Sequence, residues 1–374
     1  MEPAARSAAP TTGLDRRRLL EGGAAVVLAV ALGGCSRSSG ADDEGTAPGG
    51  GGEGGTGSET TAAGYVPGPG DDWATVDPAD AGWDPAGLDA VVDFVAGRSS
   101  TSLLVVSGGR IVVERYWGTG AADVARDIAS CQKSVVSTLC GVARDQGLLD
   151  LDEPVSTYLP AGWSRAERGD EAAITVRHLL SMTSGLDPRT LTKVAGPGRR
   201  WAYNTAAYQK LRPALEAVTG DGIEALTRRW LWDPLGVSER SLWSPRAGRG
   251  HPGRPAWALS MTARDMARFG LLVQRSGDWG GDEVVPADWF AEALRPSQDR
   301  NPLYGYLWWL LGRQSGDDVP DDLVAALGAR DQKVYACPSL DLVVVRQGPA
   351  AREAAEARTS FDDELLARLL AARA

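Results

Sequence analysis

The sequence predicts an α+β domain, a mainly antiparallel sheet with helices packed on it. Two observations carry this. Apolar and β-branched runs form one hairpin early in the folded part, Leu103–Val106 and Ile111–Tyr116, and another late in it, Lys333–Val345. Between them, from about Pro154 to Arg295, the pattern is mostly helix and loop. Strands at both ends of a helical middle are the order expected when N- and C-terminal segments complete one sheet. With 374 residues and 43 % hydrophobic content, the chain can build a full core.

The elements follow in chain order. Asp84 before Pro85 reads as an N-cap followed by proline at the first helical position, and Leu88, Val91, Val92 and Val95 give that helix one apolar stripe. Ser107-Gly108-Gly109-Arg110 is the turn of the first hairpin. Ser130 to Gln146 has helical periodicity through Val135, Val136, Leu139, Val142 and Ala143, and Gly147 is a natural stop. Pro338 and Asp341 break the late β run into a second hairpin. A last helix begins near Ser360, with Phe361, Leu365 and Leu369 on its core face. No repeat at a 20–50 residue period is visible.

Upstream of this domain lie two further segments. Arg16, Arg17 and Arg18 precede an apolar run, Ala24 to Leu32, which ends in Leu32-Gly33-Gly34-Cys35. A positive cluster, a short apolar stretch and small residues mark a secretory signal. As a helix, Leu19 to Gly34 reaches only ~24 Å at ~1.5 Å per residue, short of the ~30 Å hydrocarbon core. Asp15-Arg16-Arg17-Arg18-Leu19-Leu20 resembles a twin-arginine export signal, with Asp15 where Ser or Thr is usual. Leu32-Gly33-Gly34-Cys35 resembles a lipobox, in which Cys35 receives the lipid; a plain signal with an incidental Cys is the alternative. Residues 35–70 are rich in Gly, Ser, Thr, Asp and Glu and read as a disordered tether. The expected organisation is therefore 1–34 export signal, 35–70 tether and 71–374 folded domain, exported and lipid-anchored to the cell membrane. A single acyl chain holds weakly and several hold well.

A formal net charge of −10 and no basic stripe exclude a nucleic-acid partner on electrostatic grounds. Cys131 and Cys140 fall on one helix about 13.5 Å apart, beyond the ~7 Å limit for a disulfide, so buried free thiols are expected there and at Cys337. Nothing in the chain fixes an oligomeric state.

No G-x-S-x-G elbow and no H-E-x-x-H occur. With only two histidines, His178 and His251, a zinc site is hard to assemble, and neither metal nor organic cofactor is called for. A Ser-His-Asp triad would have to use one of them. His178 sits in an apolar helical stretch and reads as structural; His251 lies in a Gly/Pro/Arg loop. Serine chemistry without histidine needs another base, and a lysine serves when burial lowers its pKa. Ser130-Cys131-Gln132-Lys133 places hydroxyl and amine at i and i+3, on one helix face with Cβ atoms about 5–6 Å apart. At the head of its helix, the Ser130 hydroxyl also feels the positive end of the dipole.

Ser130-x-x-Lys133, the exit Gly147-Leu148-Leu149-Asp150-Leu151-Asp152-Glu153-Pro154, the block Ile174 to Leu186 and the block Leu259 to Gly270 occur in one order. They resemble the serine β-lactamase-like family: class C β-lactamases, DD-peptidases, related esterases and 6-aminohexanoate-dimer hydrolases. The resemblance spans roughly residues 75 to 372. It implies a β-lactamase/DD-peptidase-like fold, an antiparallel sheet flanked by helices with an all-helical insert. It implies Ser130 as nucleophile, with Lys133 and Tyr203 handling its proton. Tyr203 falls on the tyrosine of the family's Tyr-x-Asn motif, with Asn204 one residue early and Thr205 in the Asn position; both are candidate substrate contacts. A nearby Lys133 cation is expected to lower the phenol's pKa from ~10. The family's Lys-Thr-Gly or His-x-Gly is absent; its counterpart is Gly328-Ala329-Arg330-Asp331-Gln332-Lys333. There the resemblance implies an oxyanion hole from the backbone N–H groups of Ser130 and Gln332. Arg330 either grips a substrate carboxylate or is a solvated charge. Tyr304 to Trp309 resembles a family strand near the site; with 13 Trp in the chain, an aromatic pocket wall and ordinary core packing both fit.

The expected activity is hydrolysis of an ester or amide, in a small molecule or peptide, with a β-lactam the less favoured substrate. The alternative is a catalytically weak penicillin-binding-like or wall-binding lipoprotein.

Overall fold

A computed structural model describes residues 65–70, 72–251, 254–313, 319–351 and 361–373, all in the unit Ala62–Ala374. The export signal, Cys35 and nearly all of the tether expected from the sequence lie outside the described residues, as do the side chains of 247–255.

Helix α1 (Pro85–Ala96) starts where Asp84 accepts hydrogen bonds from the backbone N–H groups of Ala86 and Gly87, with Pro85 at its first position. It buries Leu88, Val91 and Val95. Strands β1 (Ser102–Ser107) and β2 (Arg110–Tyr116) form the first hairpin. Gly108 and Gly109 make its turn at φ of 58° and 75°, a conformation that costs glycine little. After β3 (Arg126–Asp127), a single 3₁₀ turn, Ala129–Cys131, leads into α2 (Gln132–Asp145).

Helix α2 is buried on nearly every side from Gln132 to Ala143. A helix enclosed in this way is a central pillar rather than an amphipathic surface helix. Short helices follow: α3 (Val155–Tyr158), α4 (Arg168–Ala172), α5 (Val176–Leu180), α6 (Thr205–Tyr208), α7 (Leu211–Thr219), α8 (Ile223–Thr227) and, after a π turn, α9 (Asp233–Leu235).

The insert is not all helical. Strands β4 (Leu242–His251) and β5 (Arg254–Met261) pair antiparallel within it, and β5 also pairs with β3. Pro245, Pro255 and the intervening glycines read as loop in the sequence, and His251 ends a strand instead. β5 also pairs with β3, more than a hundred residues upstream, a partner that local pattern cannot reveal. Next come α10 (Ala263–Gln274), the small pair β6 (Asp278–Trp279) and β7 (Asp282–Glu283), and α11 (Ala287–Ala293). The chain ends with β8 (Val324–Gly328), β9 (Gln332–Cys337), β10 (Leu342–Gln347) and α12 (Phe361–Ala371).

The main sheet is antiparallel, in the order β2-β1-β10-β9-β8. β1 joins β10 in the register Leu104↔Val345, which unites the two ends of the domain as the sequence predicts. Both faces are covered. Leu104, Val106, Val334, Ala336, Val343 and Val345 pack in the core shared with α2 and α10. Leu103, Val105, Tyr335, Leu342 and Val344 pack with the apolar faces of α1 and α12. Burial on both sides is why these strands read as continuous apolar runs.

Candidate active site

Ser130 lies in the 3₁₀ turn just ahead of α2. Ala129 beside it has φ +51°, a left-handed conformation that non-glycine residues rarely adopt. The Asp127 carboxylate fixes this strained turn, its Oδ1 accepting from the Ala129 N–H at 2.8 Å. One turn into the helix, Lys133 reaches back so that its Nζ stands 2.9 Å from Ser130 Oγ. Lys133 is only 2 % exposed.

The Lys133 ammonium position sits over two aromatic faces, 4.9 Å from the Tyr203 ring centre and 4.7 Å from that of Tyr208. Such faces favour a cation. Burial outweighs them: desolvation, and after it the nearby Arg246 charge, bring the lysine pKa down to about 7. At neutral pH a large fraction of Lys133 is therefore the free amine.

The Tyr203 phenol lies close enough to the Ser130 hydroxyl for that hydroxyl to draw its pKa down. Its pKa moves opposite to the expectation. Burial pushes the phenol up to about 12, and the neighbouring Ser130 hydroxyl only partly offsets this. A half-neutral Lys133 cannot act as the fixed cation that a lowered value requires. Two rings pack beside Tyr203: Trp309 stacks at 6.1 Å between centroids and Tyr304 meets it edge-on at 6.3 Å, with Trp201 touching both of these. The segment that carries Tyr304 and Trp309 is a turn joined by isolated bridges rather than the regular strand expected. It is strapped to α2, where Ser134 Oγ donates to the Leu307 carbonyl at 2.8 Å and Ser137 Oγ to that of Tyr306 at 2.6 Å.

The Asn204 amide, a candidate substrate contact in the sequence, is engaged by protein groups. Asn204 is 1 % exposed, and both ends of its amide are used: Oδ1 accepts from Ala207 N–H to cap α6, and Nδ2 donates to the Leu186 carbonyl at 2.9 Å. Thr205 opens α6 and is exposed. His178 behaves as a structural residue, its Nδ1 accepting from the Thr175 N–H at 3.1 Å to close a capping box on α5.

The hairpin β8–β9 supplies the opposite side. Its mouth rests on the nucleophile turn: Cys131 Sγ lies 3.3 Å from the carbonyl oxygens of Ala326 and Gln332. Gly328 packs so closely that a Cβ there would stand 2.3 Å from the Ile128 carbonyl oxygen. Gln332 begins β9, and its side chain is spent locally on the carbonyls of Arg330 and Gly348 and on the Gly348 N–H, leaving the backbone as its only route to chemistry. Arg330 is exposed at the tip of the turn, with no ion pair among the described residues. Cys131, Cys140 and Cys337 are free and buried, as expected.

Three neighbours escaped the sequence reading. Tyr208 follows Tyr203 by five residues and supplies the second ring under Lys133. Asp127, three residues before Ser130, has the spacing of a local cap, which is a signal that could have found it. Arg246 gives no sequence signal; it arrives through the β4–β5 hairpin. Its Nη2 pairs with Asp127 Oδ1 at 2.7 Å, while its Nε is buried and has no partner among the described residues.

Comparison with known proteins bears on the family and the fold. The family model described as Beta-lactamase matches residues 88–358. The 6-aminohexanoate-dimer hydrolase of Paenarthrobacter ureafaciens is 24% identical over 301 residues, covering 66% of this chain and 71% of that protein. Esterase EstB of Burkholderia gladioli is 25% identical over 214 residues, covering 44% of this chain and 54% of that protein. Among solved structures, a putative beta-lactamase from Bacteroides dorei superposes with a TM-score of 0.63 at 20% identity, covering 77% of this chain and 99% of that one.

Proposed function

The chain belongs to the Beta-lactamase family, and we propose from that premise that it hydrolyses an ester or amide through an acyl-enzyme on Ser130. The observation that most supports this is the 2.9 Å approach of a buried, partly neutral Lys133 amine to the Ser130 hydroxyl. Lys133 takes the proton of Ser130 as Oγ attacks the carbonyl carbon. The oxyanion that forms is received by the N–H groups of Ser130 and Gln332. As the tetrahedral intermediate collapses, the neutral Tyr203 phenol gives its proton to the leaving heteroatom, and the Lys133 ammonium returns a proton to the phenolate. Water then enters by the same route, with Lys133 again as base, and releases the acid.

No Lys-Thr-Gly occurs in Gly328-Ala329-Arg330-Asp331-Gln332-Lys333, its counterpart, so ester or linear amide substrates fit the site better than β-lactams. The relatives named for an aminohexanoate dimer and for an esterase lean the same way. Labelling tests the assignment: a serine-reactive phosphonate modifies the wild-type chain and leaves Ser130→Ala unmodified. Equal labelling of the two proteins sinks it. A parallel screen of p-nitrophenyl esters, D-amino-acid amides and a chromogenic cephalosporin ranks the substrate classes.

The Leu32-Gly33-Gly34-Cys35 segment supports export and lipid anchoring through Cys35. Expressed in a host that processes lipoproteins, the chain is expected in the membrane fraction and Cys35→Ala outside it; equal partitioning removes the anchor.

A further inference from the structure

The nucleophile turn is anchored to strand β5 on both shoulders. Ahead of it, the Ile128 N–H donates to the Leu259 carbonyl at 3.0 Å. Behind it, Gln132 Oε1 accepts from the Leu259 N–H at 3.0 Å and Nε2 donates to the Trp257 carbonyl at 3.2 Å. Between these anchors stand Ala129 and Ser130, and Ala129 is the residue at φ +51°. Glycine holds that conformation cheaply; an alanine leaves it for the right-handed or extended region unless a partner holds it there. On this span the partner is Asp127 Oδ1, which accepts from the Ala129 N–H at 2.8 Å. The same oxygen accepts from Arg246 Nη2 at 2.7 Å, a charge-assisted bond that fixes the direction of the carboxylate itself. Arg246 reaches it from β4, where the pairing of β4 with β5 slips between Pro245 and Gly250. Irregularities of this kind re-aim a side chain beside a site. The effect falls on the next residue. The peptide joining Ala129 to Ser130 sets the direction of the Ser130 Cα–Cβ bond, and with it whether Oγ meets the Lys133 Nζ that stands 2.9 Å away.

We propose that Asp127, gripped by Arg246, is a positioning residue for the nucleophile: it keeps Ala129 left-handed and so turns the Ser130 hydroxyl onto the Lys133 amine. Arg246 acts at one remove, by holding Asp127. Neither side chain needs to touch substrate for this, so losing the grip lowers turnover and leaves substrate binding alone. The inference rests on the reading of Ser130 as the nucleophile.

The experiment compares Asp127→Ala, Asp127→Asn and Asp127→Ala/Ala129→Gly. Far-UV circular dichroism checks the fold of each. Hydrolysis of p-nitrophenyl acetate is followed on the alkaline side of the Lys133 titration, where the Arg246 charge no longer decides how much free amine is present. The folded Asp127→Ala variant is expected to lose roughly tenfold or more in kcat, with KM within about twofold of wild type. Asparagine keeps an acceptor oxygen for the Ala129 N–H, so Asp127→Asn is expected within about threefold of wild type. Ala129→Gly lets the left-handed conformation form without a holder, so the double variant is expected to recover roughly threefold or more of the loss. A merely structural role predicts neither recovery. Asp127→Ala within about threefold of wild type, or a loss that either second change leaves untouched, overturns the proposal. Should Asp127→Ala not fold, Arg246→Met carries the same comparison, with and without Ala129→Gly; if neither folds, the pair is a fold determinant and the positioning role falls. Phosphonate labelling separates this inference from the reading beneath it. Equal labelling of wild type and Ser130→Ala overturns Ser130 as the nucleophile. A label lost only in Ser130→Ala, beside a fully active Asp127→Ala, overturns the role of Asp127 alone.

Discussion

At the scale of single residues, the site turns on the protonation of one amine. Lys133 must be neutral to accept the Ser130 proton, and its pKa is about 7. Turnover, as kcat/KM, is therefore expected to rise with pH and reach half its plateau near pH 7. No alkaline decline from Tyr203 is expected before pH approaches about 12, because burial holds that phenol neutral. Arg246 is the second cause of the lysine's low value, after burial. Arg246→Gln removes a positive charge, makes the ammonium easier to form and moves the acid limb to higher pH. A pH profile unmoved by Arg246→Gln refutes this coupling. Lys133 also has a stability sign. The unfolded amine titrates near 10.5, so between about 7 and 10.5 the unfolded chain binds more protons, and this group makes folding more favourable as pH rises through that window. Ser130 and Lys133 were legible in the sequence because their relation is a local helical spacing. Tyr203 was legible only through resemblance. Arg246 was not legible at all, because it arrives across the β4–β5 hairpin.

At the scale of elements, two pieces of backbone meet at the reaction centre: the head of α2 and the mouth of the β8–β9 hairpin. Gly328 sets their separation. Gly328→Ala puts a methyl 2.3 Å from the Ile128 carbonyl oxygen, and neither strand nor nucleophile turn can yield without moving the other. Overpacking of this kind costs about 1–3 kcal/mol. The expected result is a stability loss of that order by urea denaturation, together with at least a tenfold fall in kcat at nearly constant KM. Wild-type kcat in a destabilised protein would separate the hairpin's packing from its chemistry. The first hairpin, α1, α2 and α12 were readable because each carries its own signals: Asp84-Pro85, Gly108-Gly109, Gly147 and the stripe of Phe361, Leu365 and Leu369. The β4–β5 hairpin was not, since its prolines and glycines mimic a loop and its pairing partner β3 is remote in sequence. The partners of Asn204 were hidden for a related reason. Its place beside Tyr203 fitted a substrate contact, yet only tertiary packing shows its amide closed between Leu186 and Ala207.

For the whole domain, both ends of the chain are needed to finish one sheet. β1 pairs with β10, and the Asp84 N–H donates to the Ala372 carbonyl at 2.8 Å, so the start of α1 meets the end of α12. Helix α12 covers the sheet face opposite α2 with Phe361, Leu365, Leu366 and Leu369, all buried. Asp362 on the same helix forms an ion pair with Lys333 at 2.7 Å and accepts a hydrogen bond from the Tyr335 hydroxyl, both residues of β9. At about 2 kcal/mol for each large apolar side chain, the four account for roughly 8 kcal/mol. That is comparable with the roughly 5–15 kcal/mol by which a whole domain is stable. Ending the chain after Ala350 is therefore expected to abolish the cooperative thermal transition and the labelling of Ser130 together, although every proposed catalytic residue is still present. Leu365→Ala is the graded form of the test. A loss of about 2–5 kcal/mol is expected, with kcat at 25 °C nearly intact, because this residue contacts the sheet from the side away from the nucleophile. A shortened chain that melts cooperatively within a few degrees of the full-length protein would show that the sheet stands without its outer cover, and that catalytic geometry depends on the α2 side alone.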